Sequence, residues 1–459
     1  MLHSNANEQL GTLAIEYVAV DALIPDPRNT RVHPKAQLVK LQASIAEFGL
    51  NTPILIDEDN MLIAGHARLM AAKTLEIHTV PCIRITHLST LQRRVLSIAD
   101  NKIAEQAVWD PEALKAEFAA LCTFEFPVEL TGFNTAEIDI IFDTPLVSAV
   151  SVSGPADAVA LPDQNLSAIT RTGDCWVLGN HRLFCGDSLK PESYAEVTGG
   201  RRAAMVITDV PYNVPINGHV SGLGKASHRE FAMASGEMSS DEFTKFLQTA
   251  MELMVQCSTD GSLHFIFMDW RHIREITTAG AATYSECKAL CVWNKTNGGM
   301  GSLYRSKHEL VFVYKNGFAP HCNNVQLGKH GRYRTNVWDY AGANTFGRDR
   351  DADLAAHPTV KPVGMIADAI RDCSKRGDLI LDPFAGSGTI LLAAERTGRN
   401  AAAIELDPRY VDTAIKRWQA ATDKHATLLS SGQTFAQVEE ERGRNDTLPL
   451  AAKGEAEHG

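Results

Sequence analysis

The stretch GDLILDPFAGSGTILLAAERTGRNAAAIELD, residues 377–407, decides the fold of the larger part of this chain. Residues 379–381 form a short apolar run that predicts a buried parallel strand, and a glycine-containing turn follows it. Residues 389–397 predict an apolar helix, and residues 401–404 predict the next strand, which ends at Glu405. This order predicts a β-turn-α-β unit of the nucleotide-binding kind.

The glycines of the turn and the acid after the second strand point to a ligand. Gly386 and Gly388 let the main chain approach a bound molecule closely, and Glu405 can hold ribose hydroxyls. Gly386 and Glu405 are 19 residues apart, close to the roughly 20 that this geometry requires. The third glycine of the dinucleotide fingerprint is missing, because Leu391 stands in its place, and this disfavours NAD.

The string DPFAGSGT, residues 382–389, resembles the S-adenosylmethionine-binding motif of DNA amino-methyltransferases. The resemblance implies a Rossmann-like methyltransferase fold, S-adenosyl-L-methionine as the methyl donor, and Glu405 as the ribose-binding acid. The implied cofactor-binding residues of the motif are Asp382, Pro383, Phe384, Gly386, Gly388 and Thr389.

A second strand pattern lies upstream at residues 204–208, and Asp209-Val210-Pro211-Tyr212 follows it directly. A strand that ends in this way places a carboxylate, a main-chain carbonyl and an aromatic ring at the carboxyl edge of the sheet, where α/β sheets bind ligands. An exocyclic amine of a base is a poor nucleophile, because its lone pair is delocalised into the ring. Two acceptors on its N–H groups can hold it in line with a methyl group, and an aromatic ring can clamp a flipped base.

This tetrapeptide resembles the Asp-Pro-Pro-Tyr motif of the same family and departs from it at Val210. The acceptor at that position is a main-chain carbonyl, which valine also has. The resemblance implies that Asp209, Val210, Pro211 and Tyr212 form the catalytic set and that methyl transfer is direct. The order of the motifs, catalytic before cofactor, resembles the beta group. Cytosine-N4 enzymes commonly carry serine at the first position, so Asp209 favours adenine-N6.

Two further segments match the family. GNHRLFCGDS, residues 179–188, resembles the strand before the catalytic motif, and its Asp187 matches the acid expected near the cofactor adenine. HPTVKP, residues 357–362, resembles the loop before the cofactor-binding strand, and we expect its Lys361 near the cofactor. Cytosine-C5 enzymes use a nucleophilic cysteine after proline, but Pro81-Cys82 lies in a strand-like run of the other domain, which favours a core cysteine.

One segment is basic in an acidic chain. Residues 294–338 hold seven Lys or Arg and one acid, a local net charge of +6, with Tyr304, Tyr314, Tyr333 and Trp338 interleaved. Basic and aromatic residues on glycine-containing loops suit contacts to phosphates and bases of double-stranded DNA. We expect a target-recognition insert over about residues 294–345, with DNA contacts from Lys295, Arg305, Lys307, Lys329, Arg332 and Arg334.

Residues 17–105 resemble the ParB/sulfiredoxin-like domain through YVAVDALIPDPRNTR, TPILI and LIAGHARLMAAKTLEIHTVPCI. Main-chain N–H groups at the start of the helix that follows Gly65, together with His66 and Arg68, can hold a phosphate. ParB proteins bind and hydrolyse CTP with this box, so the resemblance implies CTP as a second ligand. Ala67 stands where the family prefers arginine, and this argues against nucleotide turnover. We expect an accessory domain that binds a nucleotide or contacts a protein.

The predicted fold class is α/β, a Rossmann-like methyltransferase fold with a smaller α+β ParB-like N-terminal domain. We place the ParB-like domain at residues 12–143, an Ala/Ser/Val/Pro-rich linker at 144–172, the methyltransferase domain at 173–421 and a flexible acidic tail at 422–459. In the first domain a helix ends at Gly49, and residues 52–56 and 61–64 predict strands.

The composition of the chain limits the classes of protein to which it can belong. The 459 residues have a formal net charge of −11, of which −8 falls in residues 1–145, zero in 146–420 and −3 in 421–459. The chain has no apolar run of membrane-span length and no signal-peptide pattern at its start, so we expect a cytoplasmic protein without membrane contact. Nine scattered cysteines lack zinc-ligand spacing, and we expect no metal site.

Three functions remain open from the sequence. The first is a site-specific DNA methyltransferase that moves a methyl group from S-adenosylmethionine to N6 of a flipped adenine. The second is the same scaffold acting on cytosine N4. The third is a non-catalytic ParB-like DNA-partition or regulatory protein with a decayed methylase domain. The recognition sequence, a restriction partner and the oligomeric state, with a homodimer as one arrangement, stay undetermined.

Overall fold

The structure, a computed structural model, describes residues 13–123, 128–143, 167–213, 236–295, 303–326, 334–341 and 360–446. The chain divides into two compact units, residues 1–145 and 146–459. Within the described ranges, no helix combines the length and the apolarity that crossing a bilayer requires.

The N-terminal unit contains a four-stranded sheet with the strand order β1-β4-β2-β3. Its strands are β1 (Ile15–Ala19), β2 (Ile54–Ile56), β3 (Leu62–Ala64) and β4 (Thr79–Arg84). Its helices are α1 (Lys35–Phe48), α2 (His66–Thr74), α3 (Thr90–Ala104), α4 (Pro111–Thr123) and α5 (Thr135–Asp143).

Alternate residues along the strands point to one face of this sheet and form its core. Ile54, Ile56 and Val80 are buried. Cys82 on β4 is fully buried in the same cluster, which confirms its prediction as a core cysteine. Helix α1 ends at Gly49, whose φ of 79° lies in the left-handed region that favours glycine.

The second unit is built on a ten-stranded sheet with the order β11-β9-β10-β8-β7-β12-β13-β6-β5-β14. Its strands are β5 (Cys175–Leu178), β6 (His181–Cys185), β7 (Ala203–Asp209), β8 (Ser258–Met268), β9 (Glu286–Asn294), β10 (His308–Lys315), β11 (Val337–Asp339), β12 (Leu379–Asp382), β13 (Asn400–Glu405) and β14 (Thr427–Leu428). Its helices are α6 (Pro191–Thr198), α7 (Ser240–Gln256), α8 (Ile273–Thr283), α9 (Val363–Cys373), α10 (Thr389–Thr397), α11 (Pro408–Thr422) and α12 (Phe435–Asp446).

The centre of this sheet is parallel and carries the predicted β-turn-α-β unit. Strands β8, β7, β12, β13 and β6 run parallel to one another in that order. All four residues of β12 are buried, because apolar clusters lie on both faces of the sheet. The unit β12-α10-β13 reproduces the strand, helix and strand predicted from residues 379–405. A parallel sheet of this kind is the predicted Rossmann-like class.

Two parts of this unit differ from the sequence predictions. Residues 422–446 are not a flexible tail: β14 pairs with β5, and Phe435 and Val438 on α12 are buried in the main core. The acidic residues 439–441 of α12 are exposed, while its two buried apolar residues form a stripe on the opposite side. The charged composition of this segment masks that stripe in the sequence. The predicted insert at 294–345, expected to consist of loops, contains β10 and β11, which are strands of the main sheet. Tyr314 and Trp338 are accordingly core residues, not base contacts.

Candidate active site

Three acidic side chains lie at the ends of three adjacent parallel strands. Asp209 ends β7, Asp382 ends β12 and Glu405 ends β13. Because β7, β12 and β13 are neighbours and parallel, their carboxyl ends share one edge of the sheet. That edge is where sheets of this type bind ligands. The two motifs, which are about 170 residues apart in the sequence, therefore form one site.

The cofactor corner, formed by the turn at residues 382–389 and Glu405, is held by main-chain donors. The N–H groups of Gly386 and Asp407 donate to the two carboxylate oxygens of Glu405, each over 2.8 Å. Gly386 has a φ of 52° and would have open space around an added Cβ. Gly388 has a φ of 77°, and a Cβ there would lie 2.6 Å from the Cβ of Ala414. Gly388 thus permits helix packing, while Gly386 leaves room for a ligand.

Asp382 is buried and tied to the neighbouring strand. Its Oδ1 accepts a bond from the Thr208 hydroxyl over 2.7 Å and from the Phe384 N–H over 3.1 Å. Burial raises the pKa of Asp382 to about 7 against these two donors, and burial likewise raises the pKa of Glu405 to about 7. Both acids are therefore near half ionisation at neutral pH, and neither is hydrogen-bonded to a cationic side chain among the bonds found in the described chain.

Two other predicted cofactor residues lie close to this corner. Asp187 lies two residues after β6, the strand that pairs with β13, and its carboxylate accepts the N–H of Leu189 over 2.9 Å. It therefore also caps the turn before α6. Thr389 opens α10 and is buried, with its hydroxyl 3.1 Å from a guanidinium nitrogen of Arg417.

The catalytic corner, formed by Asp209, Tyr212 and their contacts, is rich in charge. The Tyr212 hydroxyl lies 2.5 Å from Oδ1 of Asp209 and 3.1 Å from Oε2 of Glu309. The ammonium of Lys361 lies 2.5 Å from Oδ2 of Asp209 and 3.1 Å from Oε2 of Glu309. Lys295 forms an ion pair with the other oxygen of Glu309. Two carboxylates and two ammonium groups thus meet beside the tyrosine.

This placement bears on two predicted residues. Lys361, expected beside the cofactor, has its ammonium on Oδ2 of Asp209, while its main-chain carbonyl lies 3.5 Å from the Thr389 hydroxyl of the cofactor corner. Its contact with the cofactor stays a prediction. Lys295, expected to contact DNA, is bound to Glu309 and lies 4.6 Å from the centre of the Trp293 ring. Glu309 was missed entirely. Its one available signal was its position as the single acid among seven basic residues in 294–338.

The charges of the catalytic corner shift its pKa values strongly. Burial raises the pKa of Asp209, the nearby Glu309 adds to this, and Lys361 opposes it. Burial alone would raise the pKa of Glu309, but Lys361 and Lys295 outweigh it and lower that pKa to about 2. Burial would lower the pKa of Lys361, but Asp209 and Glu309 outweigh it, so that pKa is raised. Glu309 and Lys361 are therefore permanently charged near neutral pH.

The residues around the tetrapeptide show where Val210, which departs from the family motif, lies. The Val210 side chain is buried in the apolar cluster that also contains Phe243 and Met268. Asn213, which sequence reasoning missed, has a φ of 52°, and its side-chain amide bonds the main chain of Gly236 and Met238. These bonds join the residue that directly follows Tyr212 to the main chain at residues 236–238.

The remaining predicted DNA residues fall into three groups. Arg305 and Lys307 are exposed before β10, and neither side chain has a partner among the described residues. Arg334 is bound internally: its Nε lies 3.0 Å from Asp372, and its ring neighbour is Trp338. These bonds engage its side chain within the protein, and its contact with DNA stays a prediction. Two others, Lys329 and Arg332, lie outside the described residues.

The N-terminal unit has a cavity of about 600 Å³ beside its predicted phosphate box. Arg68 lines it together with Arg31, Asp100 and Glu105. Arg31 is held by Glu105 over 3.2 Å and by Asn101 over 3.1 Å. Gly65 at the start of α2 has a φ of 106°, and the guanidinium of Arg68 lies over it. Gly65 and Arg68 thus lie against each other, and their contact with a nucleotide stays a prediction. His66 instead accepts the Asp26 N–H over 3.3 Å.

Comparison with protein families assigns both units. A family described as "DNA methylase", of the N6/N4 group, matches residues 203–416, and the ParB N-terminal domain matches residues 4–102. The chain is a ParB-like domain fused to a DNA methylase. A "ParB-methyltransferase HTH domain" matches residues 112–172, which covers α4, α5 and the predicted linker. The sequence reasoning missed this helical module.

Individual relatives match the two parts of the fusion separately. The type II methyltransferase M.HpaI of Haemophilus parainfluenzae is 23% identical over 257 residues, 52% of this chain and 74% of the relative. The ParB-like nuclease domain-containing protein YnaK of Escherichia coli (strain K12) is 40% identical over 82 residues, 18% of this chain and 94% of the relative. The crystal structure of the M1.HpyAVI-SAM complex is 21% identical with a TM-score of 0.38, and it covers 51% of this chain and 97% of that chain.

Proposed function

We propose that the methylase domain transfers a methyl group from S-adenosyl-L-methionine to N6 of an adenine flipped out of double-stranded DNA. The observation that carries this proposal is the placement of Asp209 at the same sheet edge as Glu405 and the turn at Gly386. An acceptor for an amine and a pocket for a nucleoside-like donor are thereby adjacent. An aspartate, not a serine, at position 209 favours adenine over cytosine.

The residues of the cofactor corner fit S-adenosylmethionine. Open space lies over Gly386, and Glu405 is oriented by two main-chain N–H groups, which leaves its remaining lone pairs for ribose hydroxyls. Asp382 and Glu405 are hydrogen-bonded to no cationic side chain within the described part of the chain, and such carboxylates favour a positively charged ligand. S-adenosylmethionine supplies a methyl group on a sulfonium that leaves as a neutral thioether.

The residues of the catalytic corner activate and hold the amine. Asp209 and the main-chain carbonyl of Val210 accept the two N–H bonds of the exocyclic amine, and Tyr212 stacks on the base. The nitrogen lone pair forms the new N–C bond as the S–C bond breaks, and the surplus proton leaves the nitrogen toward Asp209, the nearest base. Catalysis here is orientation plus stabilisation of positive charge that develops on nitrogen.

Nucleoside analysis separates the three candidate activities. The full chain is incubated with S-adenosylmethionine labelled in the methyl group and unmethylated genomic DNA, which is then digested to nucleosides. Label in N6-methyladenine supports the proposal, and label in N4-methylcytosine replaces it with the cytosine activity. Retained cofactor binding without any label indicates a decayed methylase.

The names of type II relatives lead us to propose a place in a restriction-modification system as well.

The N-terminal cavity favours a second, separate ligand. We propose that it takes a nucleotide such as CTP, with Arg68 and the start of α2 facing the phosphates. Calorimetric titration of the full chain with CTP tests this, with Arg68→Ala as the variant that should abolish the heat. Equal binding by that variant, or no binding by either protein, contradicts the proposal.

A further inference from the structure

Both oxygens of the catalytic carboxylate contact side chains of the protein before any base arrives. One oxygen of Asp209 accepts the Tyr212 hydroxyl, and the other lies 2.5 Å from the ammonium of Lys361. A carboxylate paired with a cation is a weak acceptor and does little to stabilise positive charge on an incoming amine. Tyr212 also has to be available for stacking. A productive complex therefore needs another partner for both groups.

Glu309 lies where that partner has to be. Its Oε2 is 3.1 Å from the Lys361 ammonium and 3.1 Å from the Tyr212 hydroxyl. Both groups can thus exchange Asp209 for Glu309 with little movement. The side chain stands near the start of β10, a strand of the main sheet, and is itself 13% exposed.

Lys295 keeps Glu309 ready for this exchange. It follows β9 directly and is ion-paired with Oε1 of Glu309, so Oε2 stays directed at Lys361 and Tyr212. Its main-chain N–H donates to the carbonyl of Lys307 over 2.8 Å, which fixes it to the strand that carries Glu309. The four charges cancel, so the cluster tolerates burial.

We propose that Glu309 is a positioning residue that takes Lys361 and the Tyr212 hydroxyl from Asp209 when a flipped base enters, and so frees Asp209 to bind the amine. This inference rests on the methyltransferase function proposed above. Glu309 touches neither the base nor the cofactor in this role. It acts through Lys361 and Tyr212, and Lys295 orients it.

The pH dependence of turnover gives a readout that a merely structural role does not move. The charged or titratable groups facing Asp209 are Tyr212, Lys361 and Glu309, with Asp382 on the adjacent strand. In Glu309→Gln, Lys361 loses one of the two carboxylates that it contacts among the described residues. We expect kcat to fall about 10- to 100-fold and the acidic limb of its pH profile to move to lower pH. In Lys361→Met, Asp209 loses its cation but keeps Glu309 nearby, so the acidic limb moves to higher pH.

The double variant Glu309→Gln with Lys361→Met should recover activity relative to Glu309→Gln alone, since no cation then occupies Asp209. Glu309→Asp keeps the negative charge, so the acidic limb of its kcat profile should stay at the wild-type pH. Glu252→Gln, on the exposed face of α7, is the matched control and should leave kcat and the profile unchanged. Affinity for S-adenosylmethionine and the melting temperature are measured for every variant, so that a misfolded site is recognised by lost cofactor binding.

The outcomes distinguish the two proposals. The positioning role is supported if the wild type is active and the acidic limb of the kcat profile moves to lower pH in Glu309→Gln and to higher pH in Lys361→Met. The positioning role is overturned if the wild type is active but the single variants lose activity without any shift of the acidic limb, or if the double variant recovers no activity. Either result leaves the methyltransferase function intact. A wild type that binds the cofactor but labels no DNA overturns both.

Discussion

The two corners of the active site stabilise buried carboxylates by opposite means. In the catalytic corner, Asp209 and Glu309 are paired with two lysines, and the pKa of Glu309 falls to about 2. In the cofactor corner, Asp382 and Glu405 are held by N–H and hydroxyl donors, and burial raises both pKa values to about 7. The corners lie at the ends of neighbouring strands.

The difference fits what each corner would receive in the proposed reaction. A flipped base would bring a neutral amine, so the charge of the catalytic corner is balanced in advance by the protein's own cations. The proposed cofactor would bring its own positive charge to acids that are hydrogen-bonded to no cationic side chain among the described residues. The cofactor corner is therefore completed electrostatically by its ligand, while the catalytic corner is complete without one.

The largest effect should come from removing the charge of Asp209. Asp209→Asn keeps the shape of the side chain but removes the negative charge, so we expect methyl transfer to fall about 1,000-fold, a loss typical for a preorganised transition-state contact. Affinity for S-adenosylmethionine should change less than about threefold, because the asparagine leaves the other corner intact. Single-turnover transfer and calorimetry measure the two quantities. A large loss of cofactor affinity would show that the corners are not separable.

The glycine turn allows a comparison within the cofactor corner itself. Gly388→Ala places a methyl group 2.6 Å from the Cβ of Ala414 in addition to the strain of a positive φ, so we expect a loss of about 3 kcal/mol in unfolding free energy. Gly386→Ala meets nothing within 4 Å and should lose only about 1 kcal/mol. Denaturant unfolding of the unliganded chain measures both. Equal losses would contradict the assignment of Gly388 to packing.

Glu405 should control cofactor affinity and leave the chemical step alone. In Glu405→Gln the N–H groups of Gly386 and Asp407 lose a charged acceptor, and we expect S-adenosylmethionine to bind about 10- to 100-fold more weakly. At saturating cofactor kcat should stay within about threefold of wild type. Steady-state kinetics over a wide cofactor range give both numbers. An unchanged KM for the cofactor would remove Glu405 from the binding site.

The raised pKa values predict a pH effect confined to the cofactor corner. As pH rises from 6 to 8, an acid with a pKa of about 7 goes from mostly protonated to mostly ionised, so affinity for the cationic cofactor should rise about tenfold. Binding near pH 7 should release protons, which calorimetry in buffers of different ionisation enthalpy detects. The unliganded chain should show the opposite trend in stability. An acid whose folded pKa is raised contributes stability at low pH that is lost as pH rises from about 4.5 to 7. A pH-independent affinity would mean that both acids are already ionised.

The smallest effect should come from the two exposed basic residues before β10. Lys307→Gln with Arg305→Gln removes two phosphate contacts, so we expect DNA affinity to fall about fivefold at moderate salt and the slope of log affinity against log salt to flatten by about 2. Lys245→Gln, on the exposed side of α7, is the control. Neither double nor control variant should alter cofactor affinity. An unchanged salt slope in the double variant would place the DNA elsewhere.

Sequence reasoning found the elements whose signal is local and missed the contacts that only the fold creates. The strand, turn and helix around Gly386 and Gly388 were predictable, because apolar runs and glycines report the local backbone. The meeting of Glu309 with Lys361 was not, since these residues are 52 positions apart and lie on different elements. Tyr314 was wrongly expected on a loop for the complementary reason: composition cannot tell an aromatic residue of a loop from one on a strand whose side chain points into the core.

The C-terminal helix α12 joins the two ends of the methylase domain. Its Arg442 donates to the carbonyl of Ile169 over 2.6 Å and pairs with Asp174, both at the start of the domain. Entry to and exit from the domain are thus neighbours on its surface. A domain closed in this way can be attached at either end, or be cut open and rejoined elsewhere by circular permutation, without disturbing its sheet. Attachment of the N-terminal unit to this domain is therefore expected to leave the methylase fold unchanged.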